Sequence, residues 1–287
     1  MESENILYFD CFAGISGDMA VAAMIGLGVE FDYLKEELSK LNIPGYKIEC
    51  RNVIKNGISA VKFDVIIDGE QHSHEHSEEK KHNHSHHSHV HSHSEELHHH
   101  REHFAHTHKY EHIHRTYKDI AEIIGKSSIS ENDKSLSLKI FDIVAEAEGK
   151  IHGKDKNEVH FHEVGAVDSI VDIVGFAIAF NKIGIKKVYS SPLNIGSGFV
   201  KCAHGIMPVP APAVSEILRG VPVYSKNITG ESVTPTGAAI LKAVVHSYEV
   251  IPEMEIELVS YGSGTKEFEM PNVLRVIKGK KKTHQVL

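Results

Sequence analysis

Eighteen of the chain's twenty-four histidines lie between His72 and His114, in the run HSHEHSEEKKHNHSHHSHVHSHSEELHHHREHFAHTHKYEHIH. A segment so polar and so low in complexity has too few apolar residues to form a core, so it predicts a mobile insertion rather than a folded element. Whatever core the protein has must therefore be assembled from residues on either side of it. Imidazole is the usual protein ligand for late divalent metals. The one- and two-residue spacings of His72, His74, His76, His84, His86, His87, His89, His91 and His93 mark them as candidate ligands. The competing reading is a solvated spacer, and the density of imidazoles argues against it. Copper, nickel and zinc all suit such a tract.

The rest of the chain has the composition of a globular protein. Its 287 residues, 41% hydrophobic and 24% charged, are enough for a substantial core. A formal net charge of −8 points away from nucleic acid and from anionic membrane surfaces. No apolar run approaches the roughly 18 residues of a membrane span. The longest candidate, Ile170–Phe180, carries Asp172. The first residues, MESENILYFD, lack the basic and apolar regions of a signal peptide, and three scattered cysteines suit reduced thiols, so a cytoplasmic protein is expected.

Periodicity and turn signals predict strands at Ile6–Asp10, Tyr46–Ile54, Ile58–Ile67, Lys187–Ser190, Met254–Val259 and Val273–Ile277. Asn56-Gly57 is a strong hairpin signal between the second and third of these. Helices are predicted at Asp18–Leu27, Phe31–Leu41, Tyr117–Ile124, Ser130–Gly149, Gly165–Ile183, Ala211–Leu218 and Pro235–Tyr248, with Val159–His162 extended. Alternating strands and helices imply an α/β fold, a mixed sheet with flanking helices interrupted by a disordered insertion. Residues 1–70 and 115–287 are expected to form a single discontinuous domain, with 71–114 as a flexible metal-binding insertion.

Three motifs outside the tract carry chemistry. In Asp10-Cys-Phe-Ala-Gly14-Ile-Ser16-Gly17-Asp18 a strand leads through a glycine loop into a helix, an arrangement that suits anion binding. It lacks the Gly-Lys-Ser/Thr ending of a P-loop and the three-glycine dinucleotide spacing. Asp18 would repel a bare phosphate, so the sharper reading is a phosphate bridged by a cation; the plainer one is an Asp cap and a turn. In His160-Phe-His162-Glu163-Val-Gly-Ala-Val-Asp168-Ser-Ile-Val-Asp172, extended backbone places both imidazoles on one side. Asp168 and Asp172 then share a helix face, and two carboxylates on an apolar helix are costly without a cation. The alternative is a partly exposed stripe with Asp168 at the helix's positive end. The third motif, SSPLNIGSG followed by Cys202-Ala-His204 and three prolines, reads as a rigid scaffold in which Cys202 and His204 are weak metal candidates. Thr236, in TPTG before a helix, is a candidate hydroxyl donor or a simple cap.

Taken together, ILYFDCFAGISGDM, the His-rich insertion, HFHEVGAVDSIVDIVG, SSPLNIGSG, AHGIMPVPAPAV, TPTGAAIL and PNVLRV resemble the LarC-type nickel insertion proteins of nickel-pincer cofactor synthesis, in the same order along residues 6–277. The resemblance implies insertion of nickel into pyridinium-3,5-bisthiocarboxylic acid mononucleotide, with nickel–sulfur and nickel–carbon bonds formed and CTP consumed with Mg or Mn. It also implies a homo-oligomer, and a C-terminal nucleotide-binding region past the PNVLRV strand that is absent here, or supplied as a separate polypeptide. On this basis His160, His162, Glu163 and Asp168 are the expected catalytic metal centre, with Asp172 beside them. Asp10, Gly14, Ser16, Gly17, Asp18 and Thr236 are the expected mononucleotide-binding set.

Two other functions compete. The tract alone would serve a non-enzymatic nickel or zinc store or metallochaperone, and Asp10, Asp18, His162 and Asp168 around two cations would serve a metal-dependent phosphohydrolase. Carboxylate and glycine motifs outside the tract count against pure storage, since a store needs no phosphate loop. The tract itself is expected to bind several divalent ions without being needed for folding. Replacing residues 72–114 by a short Gly/Ser linker should leave thermal unfolding cooperative and lower the nickel stoichiometry measured by metal analysis. Loss of cooperativity, or an unchanged stoichiometry, would contradict this.

Overall fold

The structure, a computed structural model, describes residues 3–68, 115–159, 161, 164, 166–202 and 205–282. The His-rich tract, with the nine candidate ligands named above, lies outside the described residues, as do His160, His162, Glu163 and His204.

The first half runs β1 (Ser3–Asp10), α1 (Gly17–Gly26), α2 (Phe31–Ser39), β2 (Tyr46–Lys55) and β3 (Ile58–Ile67). Beyond the tract come α3 (Tyr117–Lys126), α4 (Glu131–His152), a 3-10 turn (Lys156–Glu158), α5 (Val167–Ile183) and β4 (Lys187–Ser190). Short strands β5 (Leu193–Asn194), β6 (Gly196–Ser197), β7 (Phe199–Cys202) and β8 (Gly205–Pro208) precede α6 (Pro212–Ile217). The chain closes with β9 (Val223–Tyr224), β10 (Gly230–Glu231), α7 (Pro235–Val244), β11 (Ser247–Tyr248), β12 (Met254–Ser263) and β13 (Val273–Lys282).

Seven strands form one mixed sheet in the order β11-β4-β1-β13-β12-β3-β2. Its parallel pairs are β11 with β4, β4 with β1, and β12 with β3, while β13 runs antiparallel between β1 and β12. The fold is thus α/β with a mixed sheet, as the alternation of elements predicted. Asn56 and Gly57 both take positive φ, the backbone that a two-residue hairpin turn demands, and they join β2 to β3 in the register Lys55 to Ile58.

Two helices are apolar nearly all round, and both are interior. α1 lies on β12, β3 and β13 and is covered on its far side by α5, which in turn packs on α4. From Ile170 to Ala179, every residue of α5 except Asp172 is buried. By contrast α3 buries only the stripe Ile120 and Ile124, and its start is fixed by a reciprocal cap between Thr116 and Asp119. α4 begins at a Ser130 cap that accepts from Asp133 N–H, and stops at Gly153 in the left-handed conformation.

Several boundaries differ from expectation for one shared reason. β1 starts at Ser3, β12 continues to Ser263 and β13 to Lys282, beyond their apolar stretches, because the ladders between them satisfy the backbone of the polar ends. The helix predicted to reach Tyr248 ends at Val244. His246 N–H instead donates to Val188 C=O at 2.9 Å, and Ser247–Tyr248 joins the sheet edge beside β4.

The contact between α1 and the sheet leaves no room for one methyl group. A Cβ on Gly262 of β12 would lie 1.9 Å from Met19 C=O. Gly262→Ala should therefore lower stability by about 1–3 kcal/mol, the usual cost of overpacking, or about 2–4 °C per kcal/mol in a thermal melt. Gly125→Ala is the control, since its Cβ would meet nothing within 4 Å, and there the greater helix propensity of alanine should raise stability by about 1 kcal/mol.

Candidate functional site

The loop from Cys11 to Ser16 leaves the carboxyl end of β1 and is sewn to the segment before α7. Ile15 N–H donates to Ser232 C=O at 2.9 Å, and Thr234 N–H donates to Ile15 C=O at 3.1 Å. This brings the amino ends of α1 and α7 together, with the first turns of α5 against them. Gly17 is the point of contact. A Cβ there would meet Asp172 Oδ2 at 2.6 Å and Thr236 Cγ2 at 2.8 Å. Glycine at 17 therefore serves close packing of three helices. Thr236 is buried, and the cap of α7 is Thr234, whose hydroxyl accepts from Gly237 N–H at 3.2 Å.

Asp18 is fully engaged. Ser16 Oγ donates to one carboxylate oxygen, and Lys62 Nζ donates to the other at 2.5 Å. Lys62 comes from β3, is only 4% exposed, and also donates to Thr265 Oγ1 at 2.9 Å in the loop after β12. Asp64, two residues along β3, lies 3.4 Å from the same ammonium and pairs with Arg51.

Asp172 is the anomaly. It accepts from the backbone N–H of Asp18, so the positive end of α1 is already directed at a carboxylate of the protein itself. Its Oδ1 is shut off from solvent and has no hydrogen-bond partner among the described residues, although the residue as a whole is half-buried. Burial first, then the charges of Asp18 and Asp168, push its carboxyl well above the usual carboxylate range, and Lys62 acts weakly in the other direction. Counting charges among the described residues, Arg51 meets Asp64 and Lys62 meets Asp18, which leaves Asp172 one positive charge short. An orphaned buried carboxylate costs several kcal/mol unless a proton or a cation supplies that charge.

The other predicted site residues are placed as follows. Asp168 is exposed on the first turn of α5 and accepts from Ser169 N–H at 2.7 Å. Asp10 is held across the β1–β13 ladder by Arg275, whose Nε lies 2.9 Å from its Oδ2. Gly14 adopts positive φ in the turn between Cys11 and Ile15. Cys11 is wholly buried, and burial pushes its thiol up to about 12, which leaves it inert beside Ser190. Asn194 of the SSPLNIGSG motif is a brace, its amide donating to Phe12 C=O and Lys226 C=O at 2.9 and 2.8 Å. Among the described residues, no three His, Cys, Asp or Glu side chains are grouped to hold a metal ion.

The structure thus gathers Ser16, Gly17, Asp18, Asp172 and Thr236 at one place and leaves Asp10 on Arg275. It adds Lys62, Asp64 and Thr265, which sequence reasoning missed. The available signal was Lys62 and Asp64 two apart in the otherwise apolar strand ISAVKFDVII, where a charge on a half-buried ladder needs a partner.

A family model described as nickel insertion protein matches residues 7–287. The chain belongs to this family. It is 47% identical over 276 residues to a pyridinium-3,5-bisthiocarboxylic acid mononucleotide nickel insertion protein of Geobacillus kaustophilus, covering 96% of this chain and 60% of the relative. It is 49% identical over 282 residues to one of the same name from Clostridium acetobutylicum, covering 98% of this chain and 65% of the relative. This family member therefore spans less than two thirds of the length of those relatives. No solved structure matches it. No helix among its described residues is long and apolar enough to cross a membrane.

The orphaned carboxylate predicts a stability effect of definite sign. Asp172 holds its proton in the fold to a pH well above the range in which the unfolded chain releases it. Between those two values the folded state binds the extra proton, so this group's contribution to stability falls as pH rises through that interval. Asp172→Asn cannot ionise and escapes the penalty. In chelated buffer it should melt higher than the native chain at about pH 8, with the gap narrowing towards about pH 5. A native chain at least as stable as the variant at the higher pH would contradict the assignment.

Proposed function

We propose that this chain takes part in inserting nickel into pyridinium-3,5-bisthiocarboxylic acid mononucleotide, the activity named for its relatives in Geobacillus kaustophilus and Clostridium acetobutylicum. The structural observation that carries the proposal is the charge deficit at Asp172, because a carboxylate buried without a partner is a natural receiver for a divalent ion. Nickel is the cargo of this reaction. His160, His162, Glu163 and Asp168 form the centre that receives it, with Asp172 completing a mixed nitrogen and oxygen set. A mixed set suits nickel, manganese or zinc, and an open coordination position is needed for substrate sulfur to enter.

The mononucleotide lies with its phosphate near the Asp10–Asp18 loop. Asp18 and Asp172 make that end of the site acidic, so the phosphate is met through a cation rather than by bare backbone. The tract collects nickel from solution and raises its local concentration. CTP, with Mg or Mn, is the co-reactant in this reading. Among the described residues no group of three ligands stands ready for such an ion. The chain acts as a homo-oligomer in the cytoplasm. Residues 1–70 and 115–287 act as one discontinuous unit, and 71–114 as its metal-gathering insertion.

Two variants separate gathering from chemistry. The native chain, His162→Ala and a tract deletion are each given the apo-mononucleotide, nickel and CTP, with the remaining region of a relative supplied, and the nickel-bearing product is followed by mass. His162→Ala should abolish product while leaving most nickel bound. The tract deletion should lose most bound nickel yet still turn over once at saturating nickel. The reverse pattern would place the chemistry in the tract.

A further inference from the structure

We infer that Lys62 is a stand-in for a divalent cation: its ammonium occupies the Asp18 carboxylate that, with Asp172, receives the metal, and it withdraws onto Asp64 and Thr265 when the metal arrives. The inference rests on the nickel-handling reading above and adds to it the residue that controls entry of the ion.

The ammonium has three donors and three partners, Asp18 Oδ2 at 2.5 Å, Thr265 Oγ1 at 2.9 Å and Asp64 Oδ1 at 3.4 Å. Giving up Asp18 leaves two of them, so the lysine remains paired within its 4% exposed setting without a change in the β3 backbone. The Asp18 side chain is 22% exposed, so an incoming ion meets it before the buried Asp172 Oδ1. Asp172 Oδ1, closed to solvent and without a hydrogen-bond partner among the described residues, is the second donor that Lys62 does not satisfy. A monovalent ammonium balances one carboxylate, whereas a divalent ion balances both. A divalent ion beside the ammonium on Asp18 is disfavoured, because charges of +2 and +1 about 4 Å apart repel by about 8 kcal/mol at the effective dielectric of a protein surface. Lys62 therefore keeps bare metal weakly held. Binding becomes favourable only when the ammonium gives way.

A purely structural lysine makes the opposite prediction, since removing it would loosen the site and weaken any metal. The probe is Mn²⁺, which prefers carboxylate oxygen to imidazole and leaves the His-rich tract largely silent. Binding to the full-length chain, stripped with chelator, is followed by electron paramagnetic resonance. Lys62→Met should bind one Mn²⁺ at least about tenfold more tightly than the native chain, the scale of one lost charged competitor. Lys62→Arg, which keeps the charge, should stay as weak as native, and adding Asp172→Asn to Lys62→Met should remove the gain. Lys62→Gln, which keeps a hydrogen-bond donor towards Asp18 and Thr265, replaces Lys62→Met if that variant does not unfold cooperatively. Affinity equal to or below native in a folded Lys62→Met or Lys62→Gln would overturn the inference. Failure of the nickel-insertion reading shows separately, as absence of product from the native chain in the reconstituted assay.

Discussion

The arrangement at the carboxyl edge of the sheet depends on one buried ion pair, Lys62 with Asp18. The ammonium joins β3 to the first turn of α1 and to the loop after β12 through Thr265, three segments far apart in the chain. Without it, two carboxylates would face each other where α1 meets α5, and the close contact made possible by Gly17 would be electrostatically untenable. The interior position of α1 and α5 raises the stakes further. Both are surrounded by apolar neighbours, so any charge on them is removed from water and must be answered locally.

That answer is incomplete in a way that suits a metal-handling protein. A protein selected for stability alone would replace Asp172 with an apolar or amide residue. Membership in the nickel insertion family supplies a reason for keeping a carboxylate there. The glycine loop of α1 is part of the same economy. Its helix terminus points at Asp172 and its glycine admits the neighbouring helices, which is a different use of glycine from cradling a phosphate directly.

Much of the architecture was legible before any coordinates. Period-two and period-3.6 patterns placed the long elements, Asn56-Gly57 marked its hairpin, and Ser130 its cap, because these signals are local and short-ranged. Boundaries failed where the partner lay far along the chain. The polar ends of β1 and β13 are strand only because each is the other's ladder, and Ser247–Tyr248 is strand only because β4 offers an edge. The candidate site divides in the same manner. Asp18 and Asp172 stand out as acids in apolar settings, whereas Lys62, 44 residues from Asp18, and Thr265, 203 residues from Lys62, join them only by folding.

By itself the sequence determined the α/β class and the family, since composition, periodicity and ordered motifs are properties of the chain as written. Only the tertiary structure decided which charges meet. It bound Asp10 to Arg275 and Asp18 to Lys62, and it left Asp172 Oδ1 without a partner among the described residues. The physical reason is that electrostatic energy depends on distance and burial in space, and neither can be read from separation along a chain.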